Sequence, residues 1–241
     1  MPEVIVLCEG QTEKEFCRSV VAPALLPRDV ALSATLVGSP QRKRGGIREW
    51  AVYRKEILRL GAQRMDWHVA VLVDYYAMPA SWPGRDTAGA KAPDERGLHV
   101  EAAIRLDLSN ELGARIVPCV QLHEFESLLF VDPDVTARRL ASLATDLRSE
   151  QLTAALSAVV TASGGVERID DSPETAPSKR LKAIASRYDK VGWGIPAVEA
   201  AGLPVLRAGC PWLDRWVSAL EQLGGPSVAA TTMLSNTEES R

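Results

Sequence analysis

Three acidic residues follow apolar runs that lie far apart in the chain. Glu9 comes directly after "EVIVLC", Asp74 directly after "HVAVLV", and Glu124 two residues after "ARIVPCVQL". These short runs are rich in β-branched residues, so we expect buried parallel strands, which end at one edge of their sheet. The three acids should therefore approach one another. Partly desolvated carboxylates repel unless a cation lies among them, and the pattern predicts a site for Mg²⁺ or Mn²⁺.

Glu13 is a further candidate metal ligand close to Glu9. Thr12 followed three residues later by Glu15 is a capping-box pattern, which predicts a helix start with Glu13 in the first turn. Gly10 would then make the tight turn between strand and helix. An acid in the first turn also favours a helix N-terminus electrostatically, which explains Glu13 better than it explains Glu9.

The segment "HEFESLLF" places two acids and a histidine after the third run. Either Glu124 or Glu126 could be a metal ligand and take part in catalysis, because a helix that starts near Glu124 points the two side chains in different directions. His123 could serve as a proton shuttle, although a histidine at a strand end is also a common hydrogen-bonded structural residue. The sequence leaves these alternatives open.

Basic and aromatic residues elsewhere are candidates for substrate binding. Lys179 and Arg180 stand near a predicted helix start in "APSKRLKAI", where positive charge opposes the helix dipole and contacts to phosphate would explain it. Arg44 belongs to the basic segment "QRKRGG". In the loop "YYAMPASWPGRD", Trp82 could stack a base and Tyr76 could orient a ligand or water.

The elements that must position these residues alternate between strands and helices. Strands are predicted at residues 3–8, 68–73 and 114–122, with a weaker one at 30–37. Helical spacing of apolar residues occurs at 12–26, 46–61 and 98–111. This alternation indicates βαβ units and an α/β fold, with a parallel sheet flanked by helices.

Past Phe130 the pattern becomes helical. Helical periodicity covers residues 136–160, 178–190, 195–201 and 211–223. We therefore predict three parts, an α/β catalytic core at 1–131, a helical C-terminal region packed on it at 132–223, and a disordered polar tail at 224–241. Trp212 and Trp216 either pack the last helix onto the core or mark a contact surface, such as one between copies of the chain.

Composition favours a globular protein inside the cell. Hydrophobic residues make up 46% and charged residues 24%, which are ordinary globular values. The formal charge of −3 argues against a surface coated for non-specific nucleic-acid binding, but leaves room for a local basic groove. The four cysteines form no CxxC pair, which favours a reduced cytoplasmic protein. We expect no membrane span and no secretory signal.

The sequence resembles the bacterial Toprim-like group catalogued as domain-of-unknown-function family 4276. The resemblance covers nearly the whole chain. Its marks are long motifs in order: "CEGQTEKEF", "GG" at 45 and 46, "LVDYYAMPASWPG", "PCVQLHEFESLLF", "DDSPETAPSKRL", "YDKVGWG" and "GLPVLRAGCPWLDRW". Several spaced motifs in one order are far more specific than one short signature.

The resemblance implies a Toprim-like parallel α/β fold whose strand-end acids hold a divalent metal for phosphodiester chemistry. By position, Glu9 resembles the Toprim glutamate and Asp74 the first aspartate of its Asp-x-Asp motif, while Tyr76 stands where the second aspartate would be. That departure argues against a topoisomerase or primase. It leaves a nuclease of the overcoming-lysogenization-defect type as the nearest relative, with one of the other candidate glutamates replacing the missing ligand.

The implied function is metal-assisted hydrolysis of phosphodiester bonds in DNA or RNA. One or two Mg²⁺ or Mn²⁺ ions would activate water, and Lys179 and Arg180 would steady the phosphate oxygens. Relatives of this kind often accompany an ATPase partner in bacterial defence against phage. Nothing in this sequence shows such a partner, since it contains no GxxxxGK[ST] loop.

Two other functions remain open at the level of sequence. The first is a catalytically silent interaction subunit, in which the fold survives as a platform for an ATPase and the missing aspartate records lost activity. The second is a phosphotransfer or phosphatase domain, in which Asp74 itself would take the phosphoryl group. The basic "PSKRL" and the helical C-terminal region fit this second function poorly.

Overall fold

The sheet is parallel and four-stranded. A computed structural model describes residues 1–38, 46–76, 78–144, 146–169 and 175–224. Within these residues the strands are β1 (Glu3–Cys8), β2 (Ala31–Leu36), β3 (Trp67–Asp74) and β4 (Ile116–Gln121), in the order β2-β1-β3-β4. All three pairings are parallel. The predicted strands are confirmed, each to within two residues, because a continuous β-branched run is a strong signal for a strand buried on both faces.

Helices cover both faces of the sheet. The described helices are α1 (Gln11–Phe16), α2 (Ala22–Leu25), α3 (Trp50–Gln63), α4 (Arg96–Asp107), α5 (Pro133–Leu143), α6 (Ser149–Ser163), α7 (Pro177–Ile184), α8 (Ile195–Ala201), α9 (Leu203–Gly209) and α10 (Pro211–Glu221). Phe125–Phe130 forms a 3₁₀ segment, and Cys17–Val21 and Lys190–Gly194 form π turns. The predicted class, an α/β fold with a parallel sheet, flanking helices and a C-terminal helical region, is confirmed.

Several predicted helices differ from the structure in continuity. The helix expected at 12–26 is interrupted by the π turn, where the Ala22 N–H donates to the Cys17 carbonyl. Pro23 follows and has no N–H to donate to the turn before it, which widens the helix at this point. The stretch expected at 136–160 is two helices, α5 and α6, and the helix expected at 178–190 ends at Ile184.

Two apolar layers hold the helices to the sheet. On one face, α3 and α4 contribute Tyr53, Ile57 and Ile104 to a cluster with the β3 residue Val71. On the other face a larger cluster joins the sheet to α1 and to the C-terminal helices, and includes Leu72 of β3. The sheet is therefore the middle layer of three.

The C-terminal region shares this larger cluster. Leu206 of α9 and Leu213 of α10 belong to it and are fully buried. Trp212 and Trp216 are 5% and 3% exposed, so they pack α10 inward.

Cys8, Cys17, Cys119 and Cys210 are all buried free thiols. Within the described ranges, no helix has the length and apolar character needed to cross a membrane. The predicted boundary near residue 131 and the tail remain predictions, since residues 225–241 lie outside the described part.

Candidate functional site

Glu9 and Asp74 meet at the carboxyl edge of the sheet. The Glu9 N–H donates to the Leu72 carbonyl at 3.1 Å, which extends the β1–β3 ladder one residue past the strand. In return, Oε2 of Glu9 accepts a hydrogen bond from the Asp74 N–H at 3.1 Å. The sequence predicted that these two acids approach each other, and the structure brings them together.

The chain returns to Glu9 just before α3. The Gly46 N–H donates to the Glu9 carbonyl at 2.7 Å, and the Ile47 N–H donates to the Glu9 carboxylate. Gly46 has φ of 80°, in the left-handed region that glycine adopts most easily. The glycine at this position therefore lets backbone donors close over Glu9.

Glu13 lies beside Glu9 through a helix start that differs from the predicted one. Gly10 occupies the N-cap position and α1 begins at Gln11. The predicted capping box is wrong: Thr12 is buried in the first turn, and Glu15 instead accepts hydrogen bonds from Gln11 and from Arg18.

Gly10 is needed for space rather than for backbone conformation. Its φ of −134° is extended and open to any residue, but a methyl group placed on it would lie 2.7 Å from Oε2 of Glu13. The Glu13 carboxylate accepts hydrogen bonds from the Gly10 and Glu13 N–H groups and is only 8% exposed. The motif "EGQTE" thus folds Glu13 back over the turn.

Burial and neighbouring charge raise the pKa values of the acids at this edge. Burial, and then the charge of Glu13, raises the pKa of Glu9 to about 7 against the opposing effect of the Asp74 N–H. Burial, Glu9 and Glu13 raise the pKa of Asp74 well above its usual value. The side-chain amide of Gln121 donates to Oδ1 of Asp74 and offsets part of that rise. We call Glu9, Glu13 and Asp74 the acidic site.

Lys190 supplies positive charge to the acidic site, and sequence reasoning missed it. Its Nζ lies 2.9 Å from Oε1 and 3.0 Å from Oε2 of Glu126, whose side chain is fully buried. The same ammonium lowers the pKa values of Glu9, Glu13 and Asp74. Its motif "YDKVGWG" was a mark of the family resemblance, but the lysine carried no spacing pattern that would single it out.

A tight turn presents Lys190. The Asp189 side chain accepts a hydrogen bond from the Gly192 N–H at 2.5 Å and so caps the π turn. Gly194 lies against Tyr188, and a methyl group on it would fall 2.6 Å from the tyrosine oxygen. The two glycines and the aspartate of the motif therefore fix where the lysine leaves the backbone.

Glu124 and Glu126 have different partners. Oε2 of Glu124 accepts a hydrogen bond at 3.0 Å from the Ser178 N–H in the first turn of α7. Glu126 is bound by Lys190. Both glutamates interact electrostatically with Lys190, which connects them to the acidic site through that lysine.

Backbone carbonyls hold both Trp82 and His123. The stacking role of Trp82 is wrong: the side chain is 1% exposed, packs against Trp50 and Tyr53, and donates from Nε1 to the Arg48 carbonyl. A tryptophan in a proline-rich and glycine-rich loop therefore packs in the core. Nε2 of His123 lies 2.6 Å from the Glu167 carbonyl, which can only accept, so this contact requires a proton on that nitrogen. The proton-shuttle role of His123 stays a prediction.

The predicted substrate-binding residues are spread over several elements. Lys179 is exposed on the first turn of α7, next to the residue that binds Glu124. Arg180 is half-buried and donates from Nε to the Thr175 carbonyl at 2.7 Å. Tyr76 is 43% exposed just after Asp74. Arg44 lies outside the described residues.

The acidic site offers carboxylate oxygens, the kind of ligand atom that a hard divalent cation prefers. Buried carboxylates with raised pKa values favour binding of a cation, and oxygen donors are those that Mg²⁺ and Mn²⁺ prefer. Among the residues that the structure describes, no three His, Cys, Asp or Glu side chains already form a group able to hold a metal ion. The residue types therefore fit the predicted metal, while their side chains are not arranged as a ready coordination shell.

The fold and the acidic edge define an α/β protein with carboxylates gathered at the carboxyl edge of a parallel sheet. The family model described as domain of unknown function DUF4276 matches residues 8–221, and the chain belongs to this family. The family membership inferred from the motifs is thus confirmed. No curated protein is significantly similar to the chain in sequence.

Two solved structures resemble the whole described fold. The C-terminal region of the Xanthomonas campestris pv. campestris OLD protein is 16% identical, with a TM-score of 0.45 over 91% of this chain and 94% of that chain. The C-terminal region of the Burkholderia pseudomallei OLD protein is also 16% identical, with a TM-score of 0.47 over 91% of this chain and 97% of that chain.

Proposed function

We propose that the protein is a divalent-metal-dependent, Toprim-like nuclease that hydrolyses phosphodiester bonds in DNA or RNA. One observation carries the proposal: the Glu9 carboxylate is hydrogen-bonded to the Asp74 amide across β1 and β3, beside the buried Glu13. Acids at the carboxyl ends of adjacent parallel strands occupy the usual ligand edge of an α/β sheet.

We assign each residue of the site a role in this hydrolysis. Glu9, Asp74 and Glu13 would hold Mg²⁺ or Mn²⁺. A bound ion supplies an activated water and neutralises charge at the scissile phosphate. The Asp74 and Ile47 amides fix the Glu9 carboxylate before the ion arrives. Lys190 adds a fixed positive charge beside the acids, which favours the negative charge that develops on the phosphate oxygens.

Charge-neutral variants of the two central acids test the proposal. Glu9→Gln and Asp74→Asn keep the side-chain shape but remove the ligand charge, so we expect a loss of roughly a hundredfold or more in metal-dependent cleavage. The assay follows plasmid, single-stranded DNA and transfer RNA with Mg²⁺ or Mn²⁺, beside thermal unfolding of each variant.

Glu15→Gln is the matched control. Glu15 lies in the same helix as Glu13 but pairs with Arg18 at 2.7 Å on the exposed side, so this variant should cleave like the wild type. Folded Glu9→Gln and Asp74→Asn proteins that cleave at the wild-type rate would remove both acids from the chemistry.

A catalytically silent platform is the second candidate function. The observation that favours it is Tyr76, which stands exposed where the resemblance expects a second aspartate and offers no carboxylate. The platform would bind an ATPase partner and leave every nucleic acid intact. Co-purification with an ATPase, together with no cleavage of any substrate by the wild-type chain, would select it over the nuclease.

The resemblance also supports finer proposals about the setting. These are a cytoplasmic role in defence against phage and an interaction with an ATPase partner. Loss of phage protection on Glu9→Gln substitution in a bacterial host that carries both genes would support the defence role. Full protection by that variant would contradict it.

A further inference from the structure

We propose that Arg85 and Arg96 form a second binding site, for the backbone phosphates of a nucleic-acid strand, next to the acidic site. This inference rests on the proposed nuclease function and adds the strand contacts that the acidic site lacks. The loop "YYAMPASWPGRD" that carries Arg85 was a candidate for its aromatic residues only, and Arg96 was not a candidate. We call the two residues the arginine pair.

Arg85 packs on Tyr75, the residue that directly follows Asp74. Its guanidinium carbon lies 4.2 Å from the centre of the Tyr75 ring, and its Nη1 donates to the Tyr75 hydroxyl at 3.1 Å. Tyr75 directly follows Asp74, and its N–H donates to the Gln121 carbonyl at 2.8 Å. The arginine is thus tied to the end of β3 from which Asp74 extends.

Arg96 reaches the same edge from α4. It is the first residue of that helix, and its neighbour Gly97 packs so tightly that a methyl group there would lie 2.6 Å from the Val120 carbonyl oxygen. Val120 immediately precedes Gln121, which binds Asp74. The start of α4 therefore lies against the end of β4, one strand from Asp74.

The loop that carries Arg85 is bound to α4 as well. A methyl group on Gly84 would lie 2.9 Å from Cβ of Ala103, and the Thr87 hydroxyl lies 2.8 Å from Nε2 of His99. These contacts hold the loop and the helix together. The loop that carries Arg85 and the helix that begins with Arg96 are therefore packed together beside the carboxyl ends of β3 and β4.

Among the described residues, the arginine pair has no carboxylate as a counterion. Of the arginines in the described part of the chain, only these two have a buried Nε with no hydrogen-bond partner. Neither lies within ion-pair distance of an acid among the described residues, whereas Arg54, Arg64 and Arg207 each pair with a carboxylate. A partly desolvated cation without a counterion attracts an anion strongly.

A phosphodiester strand fits this corner better than a lone small anion. Guanidinium groups bind phosphate oxygens through planar, paired N–H donors. Tyr76, 43% exposed next to Tyr75, adds an aromatic face on which a base can stack. Phosphates on the arginine pair and a base on Tyr76 would hold a strand alongside Asp74.

Binding measurements on arginine variants test the inference. We expect Arg85→Gln and Arg96→Gln each to weaken binding of fluorescently labelled single-stranded DNA or RNA by roughly tenfold, and to lower the salt slope of affinity by about one. Fluorescence anisotropy in EDTA, where no cleavage occurs, measures both quantities. Arg85→Lys, which keeps the charge but loses the planar fork, should fall between Arg85→Gln and the wild type.

Arg64→Gln is the matched control. Arg64 also lies over an aromatic ring, with its guanidinium carbon 5.6 Å from the centre of the Trp67 ring, but it sits at the amino end of β3 and pairs with Asp66. This variant should bind like the wild type. Unchanged affinity in folded Arg85→Gln and Arg96→Gln would overturn the inference, even if Glu9→Gln abolishes cleavage.

The remaining outcomes separate this inference from the proposed function. Weakened binding in both arginine variants, with Glu9→Gln still cleaving, would keep the strand site and remove the proposed metal chemistry. A wild-type protein that binds neither DNA nor RNA would overturn both. Thermal unfolding of each variant shows that a binding loss does not come from loss of the fold.

Discussion

Glu9 is a buried acid whose surroundings oppose its negative charge. Burial and the neighbouring Glu13 raise its pKa to about 7, and Asp74 shifts in the same direction. Lys190 lowers all three pKa values but does not restore them to their usual range. An acid held in this way costs stability whenever it is ionised, and a divalent cation would relieve that cost.

We expect this cost to appear as a pH dependence of stability. The folded-state pKa of Glu9 lies above its unfolded value of 4.5, so the contribution of protonated Glu9 is complete below about pH 4.5 and is lost as the pH rises to about 7. Without divalent ions, the wild type should therefore lose more free energy of unfolding between pH 5 and pH 7.5 than Glu9→Gln does. Urea unfolding at both pH values measures the difference.

The comparison with Glu9→Gln measures Glu9 together with its effect on Asp74, whose pKa the Glu9 charge raises. Glu13 and Asp74 shift in the same direction as Glu9, whereas His68 has a lowered pKa and loses stability as the pH falls. The contribution of His68 is common to both proteins and cancels in the difference. Equal pH slopes for the two proteins would show that Glu9 is not held in an unfavourable ionised state.

At the scale of elements, one ion pair joins two irregular segments. Glu126 belongs to the 3₁₀ segment Phe125–Phe130, and Lys190 begins the π turn Lys190–Gly194. Burial raises the pKa of Glu126 and Lys190 opposes that rise. The pair thus positions the lysine and offsets part of the unfavourable effect of burial on the Glu126 carboxylate.

We expect Lys190→Met to destabilise the fold by about 2 kcal/mol at neutral pH, because it leaves Glu126 buried without its partner. This is less than the cost for a fully buried pair, since the Lys190 side chain is 46% exposed. The double variant Glu126→Gln, Lys190→Met should recover part of the loss in urea unfolding. Arg59→Met is the control: its pair with Glu56 lies 2.6 Å apart on a single helix surface and should contribute less than about 1 kcal/mol.

Some of these elements and side chains could be predicted from the sequence, and others could not. The strands and the acids at their ends were predictable, because continuous β-branched runs mark buried parallel strands and the strand ends share an edge. Lys190 was not, since its place depends on a π turn that carries no hydrophobic periodicity. Trp82 was misread because its loop composition indicates exposure, whereas contacts with Trp50 and Tyr53 bury it.

Seen as a whole molecule, the chain has a C-terminal region that completes the core of the sheet. The larger apolar cluster runs without interruption from β1 and β3 to α9 and α10, and α10 packs against β4. The acidic site and the lysine beside it come from different parts of the chain: Glu9 and Asp74 extend from the sheet, and Lys190 belongs to the C-terminal region. Site and core therefore depend on the same packing.

This continuity predicts that the protein unfolds in one cooperative step. Leu213→Ala in α10 and Ile57→Ala in α3 remove fully buried side chains on opposite faces of the sheet, and each should lower the free energy of unfolding by about 2 to 5 kcal/mol. In both variants the whole transition should move, with far-ultraviolet circular dichroism and tryptophan fluorescence giving the same midpoint. Leu106→Ala, at a side chain that is 76% exposed, should leave that midpoint unchanged. A Leu213→Ala protein that unfolds in two steps, with the α3 side melting at the wild-type midpoint, would show instead that the C-terminal region folds as a separate domain.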